Sequence, residues 1–234
     1  MKTVNFHILT RCGFVGNTNP CHNPSGPGGG QFCGGTGGYS WTKQDKLSQG
    51  ILKDFGIQGI TSKNDNLSLK KVNAIGEHMS EVFNNHPGLA EFVKNSSPIK
   101  LSILDSSNVS SQASGVFRNN TIIIGGRYTQ GGALGFGQKR FTVDNGATGL
   151  FRHEFGHGIY ERLPNQAKND WNIRWVMGGM GQGFEKVISK YAGTNKEEGF
   201  AEAFAAWSHP KYKSSVKRLP GSIESYFNKV FNEA

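Results

Sequence analysis

The pentapeptide His153-Glu154-Phe155-Gly156-His157 constrains this chain more than any other feature. Histidines at i and i+4 lie one above the other on a single helix face, so two imidazoles there reach one point in space. Zinc, which accepts imidazole nitrogens in a tetrahedral arrangement, suits that point. Glu154 is next in the chain and can reach a zinc-bound water from the same side. Zinc lowers the pKa of such a water toward ~7, and a carboxylate can take its proton as it attacks a carbonyl. The alternative is a pair of histidines packing or capping on a surface helix.

The surroundings of the motif are those of a helix. Asp144 or Asn145 can cap a helix that runs to about Arg162 and ends before Pro164. Gly156 and Gly158 each cost about 1 kcal/mol of helix propensity against alanine. Small residues at those positions allow another backbone to approach the site closely.

A catalytic zinc needs a third protein ligand and an open position. The extended metzincin pattern would require glycine at position 160 and histidine at position 163, where the chain has Tyr160 and Leu163. The third ligand is therefore expected from farther downstream, and Glu197 to Trp207 offers candidates. Phe200, Ala203, Phe204 and Trp207 mark an apolar helix face, and Glu198 and Glu202 share one side at i and i+4. One carboxylate binding metal while the other orients a ligand histidine through its second nitrogen would explain both. Two solvated helix glutamates are the alternative.

The rest of the chain reads as α+β. Leu69, Val72, Ile75, Met79, Val82 and Phe83 recur at helical steps from Asn66, and His86-Pro87-Gly88 stops that helix. A short helix over about 89–94 is expected next. His78 and His86 are read as helix-surface residues. Strand signals appear at 100–104, then at 115–118 and 121–124 around Asn119-Asn120, which reads as a hairpin. Helices are expected near 171–190, 196–208 and 220–232, with Asp170 and Asn195 as N-caps and Pro220 in a first turn. The order is helix, small antiparallel sheet, then helices.

Residues 1–42 form a separate glycine-, proline- and cysteine-containing arm that cannot bury enough apolar surface to fold alone. Residues 43–234 form the main domain. Cys12, Cys21, His22 and Cys33 could make a small second metal site, although their spacing matches no zinc module. An arm with incidental thiols is the simpler reading, and an odd cysteine count gives no disulfide framework.

The formal charge of +9 favours acidic partners. The basic residues are mostly scattered, however, and no nucleic-acid-binding motif is present. A basic nucleic-acid-binding protein with structural zinc is the weakest of three functional readings. No apolar run approaches the roughly 20 residues of a membrane span. Residues 1–9 are too polar and short for a secretory signal, so an intracellular or virion-associated protein is expected.

His153-Glu154-Phe155-Gly156-His157, Tyr191, Thr194-Asn195 and Glu198-Gly199-Phe200-Ala201-Glu202-Ala203-Phe204, taken in this order, resemble the catalytic domain of anthrax toxin lethal factor and related gluzincin peptidases. The resemblance covers about residues 140–232, with weaker similarity back to about 66. It implies a zincin-like fold with one zinc ion per chain held by His153, His157 and Glu198. It implies that Glu154 activates water, that Tyr191 donates its hydroxyl to the developing oxyanion, and that Glu202 is the supporting carboxylate. Glu197 is the substitute ligand if the register is off by one. Gly199 departs from the pattern, since the lethal factor has a bulky aromatic there. The large N-terminal domains that recognise host kinases are missing, so no kinase substrate is expected.

The glycine-rich run from Asn19 to Cys33 more loosely resembles segments of phage head-morphogenesis proteins. Zinc-dependent hydrolysis of a protein or peptide is the leading functional reading. A phage structural protein that keeps the zincin module without essential proteolysis, docking to virion proteins through residues 1–42, is the alternative.

Overall fold

The computed structural model describes residues 43–62, 66–103, 115–124, 134–144, 146–212 and 218–232. Residues 1–42, read above as an arm, lie outside the described residues, and with them Cys12, Cys21, His22 and Cys33. The elements in order are α1 (Lys43–Asp54), β1 (Ile57–Ser62), α2 (Asn66–Asn85), α3 (Pro87–Lys94), β2 (Ile99–Ile103), β3 (Gly115–Arg118) and β4 (Thr121–Ile124). They continue with α4 (Ala147–Arg162), α5 (Asn165–Met177), α6 (Met180–Val187), a 3-10 turn (Tyr191–Gly193), α7 (Lys196–Trp207) and α8 (Gly221–Val230). This is the expected α+β order: a small sheet, the motif helix, then a helical half. Among the described residues no helix is long and apolar enough to cross a membrane.

The sheet runs β1-β2-β4-β3 and is mixed rather than antiparallel. β3 and β4 form the expected antiparallel hairpin. Asn119 and Asn120 turn it with φ of 49° and 57°, the left-handed pair that a two-residue hairpin turn requires. The pairings of β1 with β2 and of β2 with β4 are parallel. The first follows from a helical crossover, α2 and α3, which returns the chain in the same direction. β2 pairs with the second hairpin strand rather than the first, so β3 is left at the sheet edge. α1 and β1 were not anticipated. The strand IQGITS carries a glycine at its centre, and its short polar residues blur the alternation that signals a strand.

α4 lies between the sheet and α7. A Cβ built on Gly158 would stand 2.8 Å from Ile99 Cδ1, and one on Gly156 3.1 Å from Ala201 Cα. The two glycines thus let α4 approach the sheet on one side and the α7 backbone on the other. Trp171, Phe200, Phe204, Trp207 and Phe227 pack below them at 0–1% exposure. Each such side chain contributes about 1.5–3 kcal/mol by burial.

The caps differ in part from expectation. Asn195 caps α7, its Oδ1 accepting from the Glu198 N–H at 2.9 Å. The N-cap of α4 is Gly146, and Asp144 Oδ1 accepts the Gly146 N–H at 2.9 Å. Asp170 lies inside α5, where Gln166 donates to it. His86 is buried, with its ring 4.0 Å from that of Trp207. His78 packs against Arg152. Neither histidine lies on an open helix surface as expected.

Candidate metal centre

The motif helix and the first turn of α7 bring three donor atoms together. His153 Nε2 and His157 Nε2 are 3.2 Å apart. Glu198 Oε2 lies 3.1 Å from each of them. Ligand bonds of about 2.0–2.1 Å in a tetrahedron place neighbouring donors roughly 3.3 Å apart, so this triangle fits zinc. Among the described residues it is the one such group of histidine, cysteine or carboxylate donors. Glu197 is different: its carboxylate pairs loosely with Lys196 at 3.8 Å and is half exposed.

Glu202 supports the triangle from behind. Its Oε1 lies 2.8 Å from His153 Nδ1. Its Oε2 accepts from the Val143 N–H and from the Ser189 hydroxyl, both at 2.7 Å. Ser189 Oγ in turn accepts from the Ala192 N–H at 3.1 Å. The proton of the His153 ring therefore belongs on Nδ1, and Nε2 faces the other two donors. This is the arrangement by which a carboxylate fixes the tautomer and orientation of a ligand histidine.

The electrostatics have the same sign. Burial opposes charge on His153, but the hydrogen bonds to Glu198 and Glu202 outweigh it and raise the pKa to about 10. Burial likewise opposes charge on Glu198, yet hydrogen bonds from His153 and His157 hold its pKa down to about 2. A proton shared into this pair occupies the electrostatic role of a cation, and a metal would have to displace it.

Glu154 is 5% exposed and faces the edge strand. The Phe117 backbone N–H donates to it. A Cβ on Gly115 would stand 3.0 Å from its Oε1. Burial raises its pKa, with the neighbouring imidazoles opposing. A carboxylate in this setting has a stronger pull on a proton than a solvated one.

Tyr191 begins the 3-10 turn, and its hydroxyl donates to Glu198 Oε1 at 3.3 Å. Burial and the Glu198 charge push its pKa up to about 12, so it keeps its proton as a donor. Together Val116 and Phe117 of β3, His153, Glu154 and Tyr191 line a cleft that opens onto the triangle.

Several participants were not found by reading the sequence. Arg152 is fully buried behind the site. It donates to Asp144 Oδ2 at 2.8 Å and to the Ala205 carbonyl at 3.0 Å, and it contacts His78. His209 approaches Asp144 at 3.9 Å. A charged residue directly before His153 was the available signal, but its partners lie up to 74 residues away. Gly199, which departs from the pattern expected above, packs against Trp175. A Cβ there would stand 2.6 Å from the indole, which occupies the space an aromatic at 199 would need.

No protein-family profile and no curated protein matches this chain. Among solved structures, a candidate zinc-binding metallo-peptidase from Bacteroides caccae is similar at 12% identity and a TM-score of 0.45, over 83% of this chain and 89% of that one. A likeness at this level has no functional weight, and the candidate metal site rests on the three donor atoms alone.

Proposed function

We propose that this chain is a zinc metallopeptidase that hydrolyses peptide bonds. The observation that carries the reading is the 3.1–3.2 Å triangle of His153, His157 and Glu198 beside a buried carboxylate that lines the same open cleft. Zinc, when bound, supplies Lewis acidity, polarising a carbonyl and making water acidic near neutral pH. Glu154 takes the proton from the attacking water and passes it toward the leaving nitrogen. Its burial and the raised pKa it produces suit both transfers. Tyr191 leaves Glu198 and donates its hydroxyl to the oxygen on which negative charge develops. Glu202 holds His153 throughout. The finer resemblance to the lethal-factor type rests on Tyr191, Glu198 and Glu202.

The test begins with metal content. Wild type should bind one zinc per chain, with His157→Ala and Glu198→Ala losing it. Wild type should cleave an unfolded protein, chelator should stop this and added zinc should restore it. Glu154→Gln should keep the metal and lower kcat by about 10²–10⁴. Full cleavage by Glu154→Gln would refute the assigned base. One bound zinc with no substrate ever cut would favour the assembly module instead.

A further inference from the structure

We propose that Phe141 is a positioning residue for Tyr191, holding the donor ring in place beside the metal centre. This rests on the peptidase reading above. Phe141 is 67% exposed. A lone exposed phenylalanine is ordinary on a protein surface, but the backbone around this one is tied into the site. Its carbonyl accepts the Tyr191 N–H at 2.9 Å, and the Arg140 carbonyl accepts the Lys190 N–H at 2.9 Å. Two residues on, the Val143 N–H reaches Glu202. One short segment thus fixes both the backbone of Tyr191 and the carboxylate that orients His153.

The rings continue this connection. Phe141 and Tyr191 have centroids 5.4 Å apart and planes 25° from parallel. Tyr191 and His153 are 5.4 Å apart at 30°. Both pairs fall in the offset-stacked range. Among the described residues these are the ring contacts of Tyr191, one with a buried ligand and the other with an exposed side chain.

Tyr191 needs such a restraint. It sits in a three-residue turn, and its hydroxyl bond to Glu198 is long at 3.3 Å. The turn packs closely against α6, where a Cβ on Gly193 would stand 2.7 Å from the Gly181 carbonyl oxygen. The phenol must nevertheless leave Glu198 to serve a substrate oxygen. Phe141 keeps that exchange from becoming a swing into solvent.

The experiment is a double-mutant cycle on zinc-loaded protein with Phe141→Ala, Tyr191→Phe and the pair. The readouts are kcat, KM, zinc content and the Kd of a phosphinic peptide that mimics the tetrahedral intermediate. Phe141→Ala should lower kcat and weaken the phosphinic peptide by about 2- to 10-fold, the size of an aromatic pair. KM and zinc content should be unchanged. In the Tyr191→Phe background the same substitution should cost nothing, and Phe141→Tyr should retain wild-type values. An equal cost in both backgrounds, or an effect on KM alone, overturns the proposal and makes Phe141 a substrate contact.

A second measurement needs no turnover. In metal-free protein labelled with 3-fluorotyrosine, the ¹⁹F signal missing from Tyr191→Phe should shift or broaden in Phe141→Ala. An unmoved signal overturns the proposal whatever the activity. Wild type that neither cleaves nor binds the phosphinic peptide overturns the peptidase reading and the proposal with it, whereas additive costs in an active enzyme overturn the proposal alone.

Discussion

At the residue scale the site depends on where single protons reside. Glu202 presents only acceptors to His153, Val143 and Ser189. Glu202→Gln places an amide group among these donors and disturbs the orientation of His153. Zinc affinity should fall about 10–100-fold, read by competition with a chromogenic chelator; an unchanged affinity would remove Glu202 from the support of the site. His153 adds a pH dependence. With its pKa raised to about 10, it carries a proton at pH 7 in the metal-free protein. Zinc binding should therefore release about one proton, and affinity should climb roughly tenfold per pH unit below that pKa. Calorimetry in two buffers of different ionisation enthalpy measures the release directly.

At the element scale the site exists because α4 and α7 approach closely. Gly156 admits the Ala201 backbone, and Arg152 crosses to the Ala205 carbonyl. Gly149 is the informative glycine. Helix propensity alone predicts that Gly149→Ala would stabilise by about 1 kcal/mol. A Cβ there would stand 2.2 Å from Asp144 Cγ, however, inside the Asp144–Arg152 pair. The variant should therefore lose about 1–3 kcal/mol in denaturant unfolding, and a gain would show that the pair can shift freely. Arg152→Met leaves Asp144 buried without its cation and should cost about 3–5 kcal/mol. The hairpin at Asn119-Asn120 and the cap at Asn195 were legible because each is set by a few neighbouring residues. The mixed sheet was not legible, because the partner of β2 is chosen by a crossover and a hairpin acting together.

At the scale of the whole molecule, the polar network behind α4 couples stability to acid. Burial, reinforced by the Arg152 charge, lowers the pKa of His78 to about 3 and of His209 to about 4. Both are neutral when folded, while the unfolded chain protonates them below about 6.5. The unfolded state then binds more protons, so stability falls as pH drops from about 6.5 toward those lower values, by at most about 1.4 kcal/mol per pH unit for each group. His153 does not reverse this trend, being charged in both states below 6.5. The melting temperature of metal-free protein should fall between pH 7 and pH 5, and His78→Gln should flatten the fall. A flat profile in wild type would contradict the buried neutral histidines.

By itself the amino-acid sequence determined what local chain geometry can encode: a helix with two imidazoles on one face, a carboxylate beside them, a second helix with glutamates at i and i+4, and a turn of two asparagines. These follow from backbone periodicity over a few residues. Only the tertiary structure decided that Glu198 rather than Glu197 meets the imidazoles, and that Glu202 is held by Val143 and Ser189. It alone enclosed Arg152 among Asp144, His78 and Ala205, and set Phe141 against Tyr191. Those contacts depend on how closely whole helices pack, and that closeness is set by glycines and aromatic rings far apart along the chain.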